Sequence, residues 1–213
     1  MVDYIRDEEE QAELLKNWWK ENGTATIITI VLAVGALIGW REWQGYQTTQ
    51  SVDASSRYQS MLEALTGAQP DVETVTTQAD SLIESFPGSA YADHARLAKA
   101  GLAVDEADYE AAAALLEEVA KDGATDELTY TATLRLARIH LQQQSWEQAE
   151  SVLDRKFPNA FNGMALELRA DAAKGKGDLT AAQTLYAEAL DILQDGGEKD
   201  RVQMKLDDLK TAS

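Results

Sequence analysis

The chain has 213 residues, with 19 lysines and arginines against 37 aspartates and glutamates, three prolines and no cysteine. A formal charge of −18 excludes it as an ordinary nucleic-acid binder, since phosphate contacts need clustered Lys and Arg, and keeps its body off anionic lipid surfaces. Without a thiol there is no disulfide, cysteine zinc site, cysteine nucleophile or lipid-modified cysteine, a composition compatible with an oxidising compartment.

Residues 1–22 form a short acidic tail with 3 cations and 7 acids; 16 cations and 30 acids follow the next segment. That segment, Gly23 to Trp40, is 18 residues without a charge and reads GTATIITIVLAVGALIGW. At about 1.5 Å per residue it matches a bilayer's hydrocarbon core of roughly 30 Å. Trp18 and Trp19 stand before it and Trp40 and Trp43 after it, as belts of indole at two membrane interfaces. A cleaved signal peptide would open on basic residues and close on small ones, whereas this run is entered through acids and left through Gly-Trp-Arg-Glu-Trp. The expectation is an uncleaved transmembrane signal-anchor helix over 23–42. Arg6, Lys16 and Lys20 precede it and the bulk of the chain follows it, which points to a cytosolic N-terminus. Gly35 and Gly39 are spaced to let a second helix approach closely and form the predicted membrane packing face.

Residues 43–66 read as a helical stalk that supplies the first helix of an array, 67–198 as repeats and 199–213 as a capping helix. Tyr109–Leu116, Trp146–Leu153 and Leu179–Tyr186 align without gaps at spacings of 37 and 33 residues. Each begins with a bulky residue, has alanine three positions later (Ala112, Ala149, Ala182) and Leu or Tyr four after that, which puts all three on one helical face. Val119, Lys156 and Ala189 occupy the next packing position, so the copies are degenerate. Upstream partners are centred on Arg96–Lys99, Arg135–Arg138 and Arg169–Ala172, with short polar turns between. Pro70-Asp71 opens a further helix, and Phe86-Pro87 and Phe157-Pro158 each close one. Asp200–Leu209 is predicted to cover the last apolar face with Val202, Met204, Leu206 and Leu209. The predicted fold class is all-α: one N-terminal transmembrane helix, then an α-solenoid of degenerate tetratricopeptide-like helix pairs, best matched by Gly177-Asp178-Leu179-x-x-Ala182-x-x-x-Tyr186-x-x-Ala189.

The residue inventory argues against an enzyme. His94 and His140 are single histidines on different helices, and neither His-x-x-x-His nor His-Glu-x-x-His occurs. No catalytic residue, cofactor or metal ligand is assigned. Arg135, Arg138 and Arg169 lie on aligned first helices, which line the concave face of such arrays. With His140 beside them they are the predicted partner groove, set against the plainer alternative of arginines paired with neighbouring acids.

Tyr4-Ile5-Arg6-Asp7-Glu8-Glu9-Glu10-Gln11, Leu14–Gly23 with Lys-x-Trp-Trp-Lys-x-Asn-Gly inside it, and the Trp40–Tyr46 exit together resemble the YfgM family of Gram-negative inner-membrane proteins, over the whole chain. The resemblance implies an ancillary subunit of the SecYEG translocon, inner-membrane and single-pass, with a periplasmic C-terminal domain. It also implies partnership with the membrane-anchored chaperone PpiD and the passing of translocating polypeptides to periplasmic chaperones. Two other readings stand beside it: an envelope-assembly scaffold without translocon contact, and a regulator whose acidic tail, Asp3–Glu13, binds a cytosolic signalling protein.

Overall fold

The computed structural model describes residues 3–194 and 196–211. Met1, Val2, Asp195, Ala212 and Ser213, which belong to the predicted tail, a polar break and the cap, lie outside them, as do the side chains of 3–9 and 46–48 in the tail and exit motifs. The described residues form nine helices and no strand: α1 Asp3–Thr66, α2 Val72–Ser85, α3 Ala90–Asp105, α4 Tyr109–Asp122, α5 Asp126–Gln142, α6 Trp146–Leu153, α7 Asn159–Gly175, α8 Leu179–Ile192 and α9 Gly197–Thr211. They divide into two compact units, one ending at Asp53 and the other starting at Ala54.

The first unit is α1 up to Asp53. Its apolar window has a mean hydropathy of 2.0 and is only 6% buried, long and apolar enough to cross a membrane. Ile28, Leu32 and Leu37 all project outward with no protein around them. The ring pairs Trp18–Trp19 and Trp40–Trp43 have centroids 6.4 and 5.2 Å apart. The Trp19 indole folds over Gly23, its atoms 3.3 Å from where a Cβ would stand. Around Gly35 and Gly39 nothing lies within 4 Å of such a position.

In the second unit the last turns of α1 pair with α2, then α3 with α4, α5 with α6 and α7 with α8, and α9 closes the array. Tyr109, Trp146 and Leu179 are the first residues of α4, α6 and α8, so the repeat register read from sequence is the structural one. Ala112, Ala149 and Ala182 are completely buried, as are Leu153 and Tyr186, with Leu116 nearly so. Alanine removes bulk at the crossing of each pair, and the larger residue one turn on fills the space beside it. The core runs as linked clusters: Met61, Val75 and Leu82; then Leu116, Val119 and Leu136; then Leu134, Leu153 and Phe157; then Ala182, Tyr186 and Val202.

The turns into α4, α6 and α8 are built alike. The amide of Asp108 donates to Ala103 O at 2.8 Å, that of Ser145 to His140 O at 2.8 Å and that of Asp178 to Ala173 O at 2.9 Å. Inside them Ala107, Gln144 and Gly177 donate to the carbonyls three residues back, each at 3.0 Å. These are left-handed helix ends of the Schellman kind, with φ of 59°, 58° and 85° at the three positions. Only the third is glycine; the other two carry a Cβ against the following carbonyl. Ala107→Gly and Gln144→Gly are each expected to raise stability by about 0.5–1 kcal/mol, read from denaturant midpoints at unchanged slope.

Three details depart from the sequence expectation. Leu179 starts α8 but is 37% exposed rather than filling the interior. The second copy stops early: α6 has 8 residues and Lys156 lies beyond it, exposed, where a small packing residue was expected. Pro158 disfavours helix at Phe157, so the chain swings in and Phe157 itself plugs the core against Leu134, Leu153 and Leu168. Arg155 replaces the missing turn, donating to Ala120 O at 3.2 Å and Thr133 Oγ1 at 3.1 Å with its guanidinium 5.2 Å from the Tyr130 ring centroid. In the cap, Val202, Leu206 and Leu209 are buried but Met204 is 66% exposed, because it sits on the opposite face of the 202/206/209 stripe.

Candidate partner-binding groove

First helices touch along the array, α3 with α5 and α5 with α7. With the end of α1 and with α9 they wall a continuous groove. Its first stretch, about 330 Å³, lies between Tyr58 and Leu65 of α1 and Leu97 and Gly101 of α3, reaching Arg135. The middle stretch, about 610 Å³, has walls of Leu97, Val104, Tyr109 and Ile139 and is overlooked by Arg135 and Arg138. The last, about 700 Å³, runs from Arg138 past Trp146 to Glu167, Asp171 and Arg201. Leu97, Gly101, Asp105 and Arg135 belong to the first two stretches, and Arg138 and Gln142 to the last two, which makes them one channel. The lining passes from aromatic and aliphatic at the α1 end to charged at the α9 end.

The charged end is built on a buried acid. The Glu167 side chain is 3% exposed. Its two oxygens accept from Arg201 Nε at 2.8 Å and Nη2 at 2.7 Å, and Lys205 Nζ adds a third bond at 2.8 Å. Lys205 also reaches both oxygens of Asp171, at 2.9 and 2.7 Å, and Asp171 Oδ1 accepts from the Tyr186 hydroxyl at 2.5 Å. Burial pushes the Glu167 carboxyl up, and the hydrogen bonds and charges of Arg201 and Lys205 more than reverse this, holding it below its ordinary value. Burial and the bond to Asp171 push the Tyr186 phenol well above the tyrosine range, so it stays a donor. Tyr186→Phe removes one bond to a carboxylate that keeps Lys205; a loss of about 1–2 kcal/mol in urea unfolding is expected.

The residues singled out from sequence separate here. Arg135 and Arg138 line the groove together, one turn apart on α5. Burial, with the charges of Arg201 and Arg135, presses the Arg138 guanidinium below the usual arginine range, and Glu167 opposes this. Arg169 does not join them: its guanidinium donates to the carbonyls of Leu153 and Arg155 and so ends the short α6. His140 lines none of the three stretches. It is half-buried, burial holds its pKa below the ordinary histidine value, and the charge acting against this is Glu117 of α4. Among the described residues no three His, Cys, Asp or Glu side chains converge as a metal site. The Glu167–Arg201–Lys205–Asp171 set went unread in the sequence. Its signal was two acids four apart on α7 facing two bases four apart on α9.

The family model for the tetratricopeptide repeat-like domain matches residues 16–211. A curated relative from Haemophilus influenzae, named Ancillary SecYEG translocon subunit, is 31% identical over 208 residues, covering 97% of this chain and 99% of its own length. The chain belongs to this family. Relatives of the same name in Escherichia coli and Neisseria gonorrhoeae are 29% and 27% identical, covering 98% and 95% of the chain and 99% and 98% of their own lengths. No solved structure matches the chain significantly. A translocon ancillary subunit and a tetratricopeptide repeat-like fold are non-enzymatic kinds of protein.

Proposed function

We propose that this chain is a non-enzymatic ancillary subunit of the SecYEG translocon, held in the inner membrane by α1 with its N-terminus cytoplasmic and its repeats periplasmic. There the groove receives a chaperone of the PpiD kind or a translocating polypeptide and holds it near the channel exit. The observation that carries the reading is the pairing, in one chain of this family, of an unburied apolar span with a groove of three connected stretches. Gly35 and Gly39 offer the span an open face for a neighbouring helix. Anchoring raises the effective concentration of weak groove contacts, which suits transient hand-over.

Photocrosslinking in intact cells tests this, with probes at Gly35 and Gly39 for the span and at Val104 for the groove. Translocon subunits are expected from the first two, and chaperones or secretory polypeptides from the third. Adducts only to envelope-assembly proteins would replace the proposal by the scaffold reading. Gly101 supplies the control. No atom lies within 4 Å of a Cβ built there, although the position lines two stretches of the groove. Gly101→Phe is therefore expected to fold at least as well as the parent, since glycine inside a helix costs about 0.5–1 kcal/mol relative to alanine. It plugs the channel, and the Val104 adducts should fall while those from Gly35 and Gly39 persist.

A further inference from the structure

We infer that the middle of the groove recognises an internal acidic side chain, Asp or Glu, lying close to an apolar side chain in a bound polypeptide; this rests on the groove reading above. The other arginines of the helical array from α3 on, with three of its lysines, show what is unusual here. Arg96 is held by Asp93 and Glu118, Lys99 by Asp80, Lys176 by Glu150, and Arg201 and Lys205 by Glu167 and Asp171. Arg155 and Arg169 are spent on carbonyls. In a chain with 37 acids and 19 bases, Arg135 and Arg138 have no hydrogen bond and no carboxylate within 4 Å among the described residues. Both point into the groove.

Neighbouring acids do not fill the vacancy. Glu167 already accepts three bonds from two cations, and Asp105 and Glu198, which share the groove lining, make no ion pair with either arginine, Glu198 acting on Arg138 only through its charge at a distance. Beside the two guanidinia the wall is aliphatic and aromatic, formed by Leu97, Val104, Tyr109 and Ile139. A polypeptide that seats an apolar side chain on that wall brings its neighbouring carboxylate to two planar donors suited to bidentate contact. The groove continues on both sides of the arginines, toward Tyr58 at one end and Arg201 at the other. A chain therefore passes through, and the carboxylate it presents belongs to a side chain rather than to a C-terminus.

The test uses the full chain in lipid nanodiscs and short fluorescein-labelled peptides. One carries Phe two residues before Glu, so that both side chains face the same way when extended, with its C-terminus amidated. A second has Gln in place of Glu, and a third has Gln and a free C-terminal carboxylate after the Phe. Fluorescence anisotropy should show the Glu peptide binding about tenfold tighter than its Gln twin, as expected for a charge-assisted contact. Arg135→Gln with Arg138→Gln should erase that ratio and leave the Gln peptide within about twofold, the melting temperature being unchanged because both side chains reach solvent. Equal binding of the Glu and Gln peptides, displaced alike by Gly101→Phe, overturns this inference and leaves the groove reading standing. A preference for the third peptide over the first overturns the choice of an internal side chain. Failure of every peptide to bind the parent chain overturns both readings.

Discussion

With arginine at both Val31 and Leu32, the chain will no longer float with lipid vesicles on a sucrose gradient. The positions are central in the apolar run, where each arginine costs about 2.5–3.5 kcal/mol on insertion scales and the two together about 5–7 kcal/mol. Against this stand the six branched apolar residues that remain between Ile27 and Ile38. At about 0.3–0.6 kcal/mol apiece they contribute only some 1.8–3.6 kcal/mol, so the balance turns against insertion. A control pair of arginines at Ser51 and Val52, outside the run and exposed, leaves flotation intact. The distinction matters because a long apolar helix is also found inside soluble folds. Here its window is almost wholly unburied, so nothing in the protein takes the place of the bilayer. If the Val31/Leu32 double variant floated like the parent, the anchor reading and the translocon reading built on it would both fail.

The architecture was legible in the sequence because its determinants are local and periodic. Ala112, Ala149 and Ala182 recur with the bulky partners four residues later, and each begins its role in the first turns of α4, α6 and α8. Charge-free length and flanking tryptophans mark the span without any tertiary information. What could not be read depends on where long side chains end. Arg135 and Arg169 occupy equivalent sequence positions, yet the early end of α6 leaves free carbonyls at Leu153 and Arg155 that take Arg169 out of the groove. His140 lies beside α4, and the histidine that does line the channel is His94, its ring 5.4 Å from that of Tyr58. The cap was found as an apolar stripe, while its charged face was missed, since pairing acids on α7 with bases on α9 requires knowing that the two helices pack together.

That charged face supports the remaining large effect. Replacing Arg201 and Lys205 together by methionine is expected to cost about 3–5 kcal/mol at neutral pH, the range for stripping the partners from a buried charge. Glu167 would keep its burial and lose three hydrogen bonds. The pH dependence identifies the cause. In the parent the Glu167 carboxyl sits below its ordinary 4.5, so its contribution is complete above that pH and fades as pH falls through the lower folded value. In the double variant burial is opposed only by the unbonded charge of Arg138, and the folded carboxyl is expected to rise above 4.5. The folded state then binds the proton more tightly than the unfolded one, and stability falls as pH rises through the raised value. Urea unfolding from pH 5 to 8 should therefore slope downward for the variant relative to the parent, in which His140, held below its ordinary value, gives a shallow rise with pH. Adding Glu167→Leu removes the stranded charge and should restore most of the loss, because an apolar trio in a buried site is often no worse than the ion pairs it replaces. A double variant that stays within about 1 kcal/mol of the parent, or shows no slope, would mean that the apolar stripe of Val202, Leu206 and Leu209 alone holds α9 in place. The wall of the groove would then be set by packing rather than by this network.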